Sequence, residues 1–149
     1  MSDSNWKELG ENIALLHSFS RKVLAQHYLL TITTNELDIL TWIFFAKGKE
    51  TPIKISQDLK LKKESVSRTL KSLIEKGLVK KELNNLDERS YYLAITEKGI
   101  ATLEENYIYL MKPYYYLKRS MGDDYDLFIK QVAEADKSLT HFNNGGTSE

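Results

Sequence analysis

Between Lys60 and Lys81 the chain carries eight basic side chains (Lys60, Lys62, Lys63, Arg68, Lys71, Lys76, Lys80 and Lys81) against two acidic ones, Glu64 and Glu75. Cations at that density suit a polyanion; the plainer alternative is a solvated helical face. The flanks are acidic. Residues 1–46 carry net −2, residues 47–96 net +5 and residues 97–149 net −3, so a formal total of zero conceals a basic middle third. A binding face needs only local charge. Within it, Arg68 has the paired donors that fit the two acceptors on the edge of guanine, while lysines neutralise phosphates without reading sequence.

Other chemistry finds little material. His17, His27 and His141 show no H-x-x-x-H spacing and no flanking cysteine, and the chain has no cysteine at all, which removes disulfides, thiolate nucleophiles and zinc ribbons. His17 and His27 stand nearly three helical turns apart and cannot chelate one ion alone; a site shared with acidic residues of a partner subunit stays open. With no G-x-S-x-G and no phosphate-cradling glycine loop, the expectation is a non-enzyme without cofactor or metal. The aromatic residues say more. Sixteen of 149 residues are aromatic, and Tyr107, Tyr109, Tyr114, Tyr115 and Tyr116 crowd around Pro113. Proline inside a helix leaves the Tyr109 carbonyl without its amide partner, so a kink is expected there. With Tyr28, Trp42 and Phe45 nearby, Tyr107 and Tyr114 are the candidate walls of an aromatic ligand pocket. The alternative is that these rings fill a subunit interface.

The elements that must hold these residues follow from periodicity. Trp6, Leu9, Ile13, Leu16, Val23 and Leu24 line one side of a long helix from Asn5 to Leu30. Thr33 with Glu36 forms a capping box, so a second helix begins near residue 34, buries Leu37, Ile39, Leu40, Ile43 and Phe44, and ends at Lys47-Gly48. Thr51-Pro52 starts a short third helix that ends near Leu59-Lys60. A fourth buries Val66, Leu70, Leu73 and Ile74 and stops at Gly77. Its opposite face then holds Glu64, Arg68, Lys71, Ser72 and Glu75, flanked by Ser65, Ser67 and Thr69. Leu78–Leu83 and Tyr91–Ile95 read as a hairpin whose turn is rich in Asn and Asp. Helix, turn, basic helix and hairpin is the order of a winged helix-turn-helix.

Beyond Thr96, Ile100, Leu103, Tyr107, Leu110, Tyr114 and Leu117 alternate steps of 3 and 4. After a break at Gly122-Asp123-Asp124, Leu127 or Phe128, Val132, Ala135, Leu139 and Phe142 continue the pattern. These seams either pack on the chain's own core or on a second copy. A lobe spanning residues 32–96 is too small to cover three further amphipathic helices, so a dimer is expected. The chain is thus read as mainly α with a small β-hairpin wing. Residues 1–31 and 97–142 form dimerisation helices, 32–96 the winged lobe and 143–149 a disordered polar tail. No apolar run reaches the roughly 18–20 residues that cross a bilayer, and MSDSNWKELGEN has no signal-peptide character, so a cytoplasmic protein without membrane contact is expected.

From Ile32 to Gly99 the chain resembles the MarR family of bacterial transcriptional regulators. The resemblance rests on Ile32-Thr33 with Glu36 and Leu40, then Leu59, Val66-Ser67-Arg68 with Leu70 and Leu73, and Lys76-Gly77-Leu78-Val79. Asp87-Glu88-Arg89 and Ile95-Thr96-Glu97-Lys98-Gly99 complete it without a gap. It implies a homodimer whose two winged lobes read one pseudo-palindromic operator on double-stranded DNA. Most such proteins repress, and many release DNA when a small anionic or aromatic effector enters a pocket between dimer base and lobe. The DNA-binding set is then Lys62, Lys63, Glu64, Ser65, Ser67, Arg68, Thr69, Lys71, Ser72, Lys80, Asp87 and Arg89. Arg89 would enter a narrow minor groove, held by Asp87. Glu64 either accepts from a cytosine amino group or simply stands at the positive end of the helix dipole. Where the family usually caps the recognition helix with Ser or Thr, this chain has Lys62, which accepts no hydrogen bond. The alternative function is a winged-helix dimer that docks an acidic protein partner.

Overall fold

In the computed structural model the described residues are 5–87 and 90–145. The order is α1 (Asn5–Val23), a 3-10 turn (Leu24–Leu29), α2 (Thr34–Ala46), α3 (Pro52–Asp58), α4 (Lys63–Glu75), β1 (Val79–Leu83), β2 (Tyr91–Ile95), α5 (Glu97–Met121) and α6 (Asp124–Gly145). The expected single helix from Asn5 to Leu30 is therefore two elements, with regular α-helix ending at Val23 and tighter winding continuing to Leu29. α5 runs through Pro113 as one element. α6 continues to Gly145, past the expected start of the tail, and residues 146–149 lie outside the described residues.

The winged lobe is built around α2, whose Leu37, Ile39, Leu40 and Ile43 are buried with Ile55 of α3, Val66, Leu70 and Leu73 of α4, and Leu78, Val79 and Leu93 of the hairpin. Each fully buried aliphatic side chain contributes about 1.5–3 kcal/mol, so this cluster is the main source of the lobe's stability. The hairpin is antiparallel, with Val79 opposite Ile95 and Leu83 opposite Tyr91. Glu50 adds a bridge at its other edge, its carbonyl accepting from the Leu93 amide at 2.9 Å. Asn84 closes the turn as an Asx turn, its Oδ1 accepting from the Leu86 amide at 3.0 Å while its amide donates to Ser90 Oγ at 2.7 Å.

α5 divides its apolar residues. Leu103 and Leu110 join the lobe core, so half of the expected coiled-coil seam packs on the chain itself. Between them Asn106 is fully buried. Its Oδ1 accepts from the Thr31 amide at 2.8 Å, and its amide donates to Thr31 Oγ1 at 2.9 Å and to the Thr102 carbonyl at 2.7 Å. All its polar capacity but one lone pair is used, which fastens α5 to the chain entering α2. Among the described side chains of α1 and α6, by contrast, none is buried. Trp6, Leu9, Ile13 and Leu16 on α1 and Leu127, Val132, Leu139 and Phe142 on α6 are exposed, although Phe19 and Phe128 meet edge to face at 5.8 Å. Among the described residues no single helix is long and apolar enough to cross a membrane.

Candidate functional site

α4 presents the basic face. Val66, Leu70 and Leu73 point into the core, leaving Lys62, Lys63, Glu64, Ser67, Arg68 and Lys71 exposed. Lys63, Glu64, Ser67, Arg68 and Lys71 line one shallow recess. Lys62 is the N-cap and its side chain caps nothing, as its chemistry requires; Glu64 occupies the first turn, where the helix dipole favours a carboxylate. Lys71 lies 4.0 Å from Glu75, and on the hairpin Lys80 lies 3.5 Å from Glu82; both pairs are exposed and worth little, so these cations can exchange partners. Ser65 is half-buried, with its carbonyl accepting from Thr69 Oγ1 at 2.8 Å. Asp87 is exposed in the hairpin turn, its carbonyl accepting from the Ser90 amide at 3.1 Å. Arg89, the expected minor-groove contact, lies outside the described residues.

Ser72 departs from expectation. Its hydroxyl donates to Glu36 Oε1 at 2.6 Å, so it belongs to the inner side of α4. The helical wheel alone places it on the outward face, and a buried acceptor across the lobe decides its direction instead. Glu36 is that acceptor. Besides completing the capping box, where the Thr33 amide donates to Oε2 at 3.0 Å and the Glu36 amide to Thr33 Oγ1 at 3.2 Å, it receives Lys76 Nζ at 2.8 and 3.0 Å. Burial alone would push its carboxyl up, but the bonds from Lys76, Ser72 and the Thr33 amide, with the Lys76 charge, hold it below the usual glutamate value. One side chain thereby starts α2 and locks the end of α4. The capping box is visible in the sequence, whereas its second role needs residues 36 and 40 positions away.

The end of α4 is fixed equally firmly. Gly77 takes φ +73, the Gly77 amide donates to the Ile74 carbonyl and the Leu78 amide to the Leu73 carbonyl, both at 2.9 Å, forming a Schellman motif. Thr96 Oγ1 donates to the Gly77 carbonyl at 2.6 Å and accepts from the Gly99 amide at 3.0 Å, and Lys98 Nζ donates to the Lys76 carbonyl at 2.8 Å. A Cβ at Gly99 would collide with the Leu78 carbonyl oxygen and Ile95. Helix, wing and α5 thus meet at one junction that sets the pose of α4.

A cavity of about 370 Å³ opens between the 3-10 turn, α2 and α5. Trp42, Tyr107 and Tyr114 line it together with Leu24, His27, Asp38, Thr41 and Leu110. Two of the expected wall residues do not reach it. Tyr28 is 79% exposed and points elsewhere, while Phe45, 71% exposed, packs edge to face on Phe44 at 5.2 Å beside a separate apolar cleft with Leu103 and Met111. Tyr28 follows the cavity-lining His27 in the 3-10 turn, and Phe45 lies beyond the Asp38, Thr41 and Trp42 face of α2. Thr41 and Tyr107 share a hydrogen bond of 3.0 Å across the cavity wall. Asp38 was not anticipated; it stands at i, i+3 and i+4 with Thr41 and Trp42, a spacing that carries the signal. Burial by the surrounding walls pushes its carboxyl up, with His27 opposing, and burial likewise raises the Tyr114 phenol, aided by Tyr125 and Tyr107. Among the described residues no group of three or more His, Cys, Asp or Glu side chains is placed to hold a metal ion.

Comparison with known proteins places the same segment in context. Residues 19–106 match the model of a family described as transcriptional regulator SarA/Rot. Among solved structures, a mutant MarR from E. coli complexed with operator DNA is 22% identical, with 90% of this chain and 98% of that chain covered and a TM-score of 0.66. A mutant MepR from a multidrug-resistant S. aureus clinical isolate is 19% identical, with 90% and 96% covered and a TM-score of 0.65. A transcriptional regulator from Thermotoga maritima is 24% identical, with 98% and 100% covered and a TM-score of 0.51. At these identities the likeness is one of fold, a MarR-like winged helix. No curated protein matches the chain.

Proposed function

Because this chain belongs to the SarA/Rot family of transcriptional regulators, we propose that it binds operator DNA as a homodimer and represses transcription, with the aromatic cavity as its effector site. The observation that carries this reading is the exposed row Lys63, Glu64, Ser67, Arg68 and Lys71 on one face of α4, whose opposite face is held by the core and by Glu36. A rigid helix with a polar, cationic outer face fits the major groove, where Arg68 reads a base edge and Ser67 a base or phosphate. Lys62, Lys63, Lys71 and Lys80 neutralise phosphates. The wing, through Arg89 and Asp87, takes the adjacent minor groove.

The exposed apolar rows of α1 and α6 support pairing of two chains, since water-facing Leu, Val, Phe and Trp at helical spacing cost stability until covered. Two lobes related by a two-fold axis call for half-sites centred about one helical turn apart, roughly 10–10.5 base pairs. The cavity lies between the 3-10 turn that follows α1 and the helices α2 and α5 of the lobe. A ligand wedged there shifts lobe against base, which changes the spacing of the two recognition helices. The test is a competition of an operator selected from random duplexes against unselected duplex at fixed salt. Preference by three or more orders of magnitude is expected of a specific regulator; equal competition would instead favour docking of an acidic protein partner on α4.

A further inference from the structure

Resting on that reading of the cavity as an effector site, we infer that the effector class is a flat aromatic cation and not an aromatic acid. The walls decide the sign. Trp42, Tyr107 and Tyr114 bring three aromatic rings to the cavity, and the negative potential of a ring face attracts cations. The one formally charged carboxylate among the lining residues is Asp38, and no lysine or arginine stands on the wall among the described residues. The remaining polar groups are His27, Thr41 and the phenols of Tyr107 and Tyr114, and the Thr41 and Tyr107 hydroxyls already engage one another at 3.0 Å. An incoming carboxylate would therefore meet Asp38 with only the His27 imidazole, already beside that carboxylate, to offset it. A cationic ring would gain a charge-assisted partner in Asp38 and stack on the indole and phenol faces. The volume of about 370 Å³ accommodates a ring system of two or three fused rings.

The experiment compares three bicyclic probes of one size on the full-length protein: N-methylquinolinium (cation), 2-methylquinoline (neutral) and quinoline-2-carboxylate (anion). Titration calorimetry is run at about pH 8, where an ordinary imidazole and methylquinoline are uncharged. The cation should bind about tenfold more tightly than the neutral ring, as one charge-assisted contact provides, and the anion most weakly. Asp38→Asn, made at an exposed position on the rim, should reduce the cation's advantage over the neutral ring to near unity. Equal affinities, or an anion bound as tightly as the cation, would overturn the inference. So would an advantage that survives Asp38→Asn. Operator affinity measured with and without each probe separates binding in the cavity from control of DNA binding. A cation that binds as expected but leaves operator affinity unchanged supports the cavity's preference for a cationic ring and sinks its role as an effector site, whereas release of DNA by the anion alone keeps the effector reading and sinks the inference. Failure of all three probes to bind removes both.

Discussion

Single side chains on α4 divide into those that face out and those that hold the helix, and the two kinds fail differently. Arg68→Ala should weaken operator binding by about 1–3 kcal/mol and relax preference at one base position. Lys71→Ala should weaken operator and random duplex alike and lower the salt slope by about one ion, because a lysine on phosphate releases counterions without reading sequence. Salt titrations of both variants on both duplexes separate the roles. Inside, Glu36 and Glu50 are both buried and predict opposite pH behaviour. Glu36 has its carboxyl held low by Lys76, Ser72 and the Thr33 amide, so its contribution is fully present at neutral pH and is lost as pH falls below the ordinary glutamate value. Glu36→Gln should cost about 1–3 kcal/mol at neutral pH, with the difference from the parent closing in acid. Glu50 is 1% exposed, one of its oxygens has no partner, and the other lies 3.7 Å from Lys54. Burial pushes its carboxyl up, with Lys54 opposing and Asp58 adding, so its charge costs stability at neutral pH and protonation recovers it as pH falls. Glu50→Gln should leave neutral-pH stability equal or higher, and in urea melts across the acid range the gap to the parent should narrow for both variants, from below for Glu36→Gln and from above for Glu50→Gln.

At the level of elements, legibility in the sequence follows the range of the forces involved. The capping box at Thr33 and Glu36, the proline start at Pro52, the stop at Gly77 and both strands of the wing were readable because their causes lie within a few residues. The aliphatic face of α4 was readable because burial imposes a period. Ser72 was misplaced because its direction is set by Glu36 across the lobe, and Asn106 went unnoticed because its partner, Thr31, stands 75 positions away. The end of α1 was misjudged at Val23: apolar periodicity continues into the 3-10 turn, so no compositional signal marks the change of winding. The cavity suffered most, since Tyr28 and Phe45 depend on that winding and on α2's rotation, while Trp42, Tyr107 and Tyr114 lie on elements whose phase the core fixes. The junction of α4, wing and α5 offers the sharpest test at this scale. Gly99→Ala drives a Cβ into the Leu78 carbonyl, and relief requires the start of α5 to move away from the wing. A loss of about 1–3 kcal/mol is expected from overpacking of this kind. Operator affinity should fall further than stability alone accounts for, because the same junction orients α4; binding measured well below the melting range distinguishes the two.

The whole molecule poses a question of surface that its parts do not. The lobe is self-sufficient: its core draws on α2, α3, α4, the hairpin and the first half of α5. α1 and α6 add length without adding to that core, since no described side chain of either helix is buried, and the contact of Phe19 on Phe128 ties them to each other. Exposed Trp6, Leu9, Ile13 and Leu16 on one helix and Leu127, Val132, Leu139 and Phe142 on the other form apolar rows at helical spacing. Stable dimer interfaces bury roughly 1,200–2,000 Å² in total, and two such rows from each of two chains are ample for that. Removing residues 120–149 takes away half of the covering surface and leaves α1 exposed, so sedimentation at micromolar concentration should find monomers or aggregates where the full chain gives dimers. The lobe core of aliphatic side chains would survive, and a cooperative urea melt followed by far-ultraviolet dichroism should report that it has. Binding to one half-site would persist weakly through α4, but the dependence on half-site spacing would vanish, since spacing is a property of the paired lobes. A full-length protein that sediments as a well-folded monomer, or an operator footprint indifferent to inserting about half a helical turn between half-sites, would show that the apolar rows serve something other than pairing.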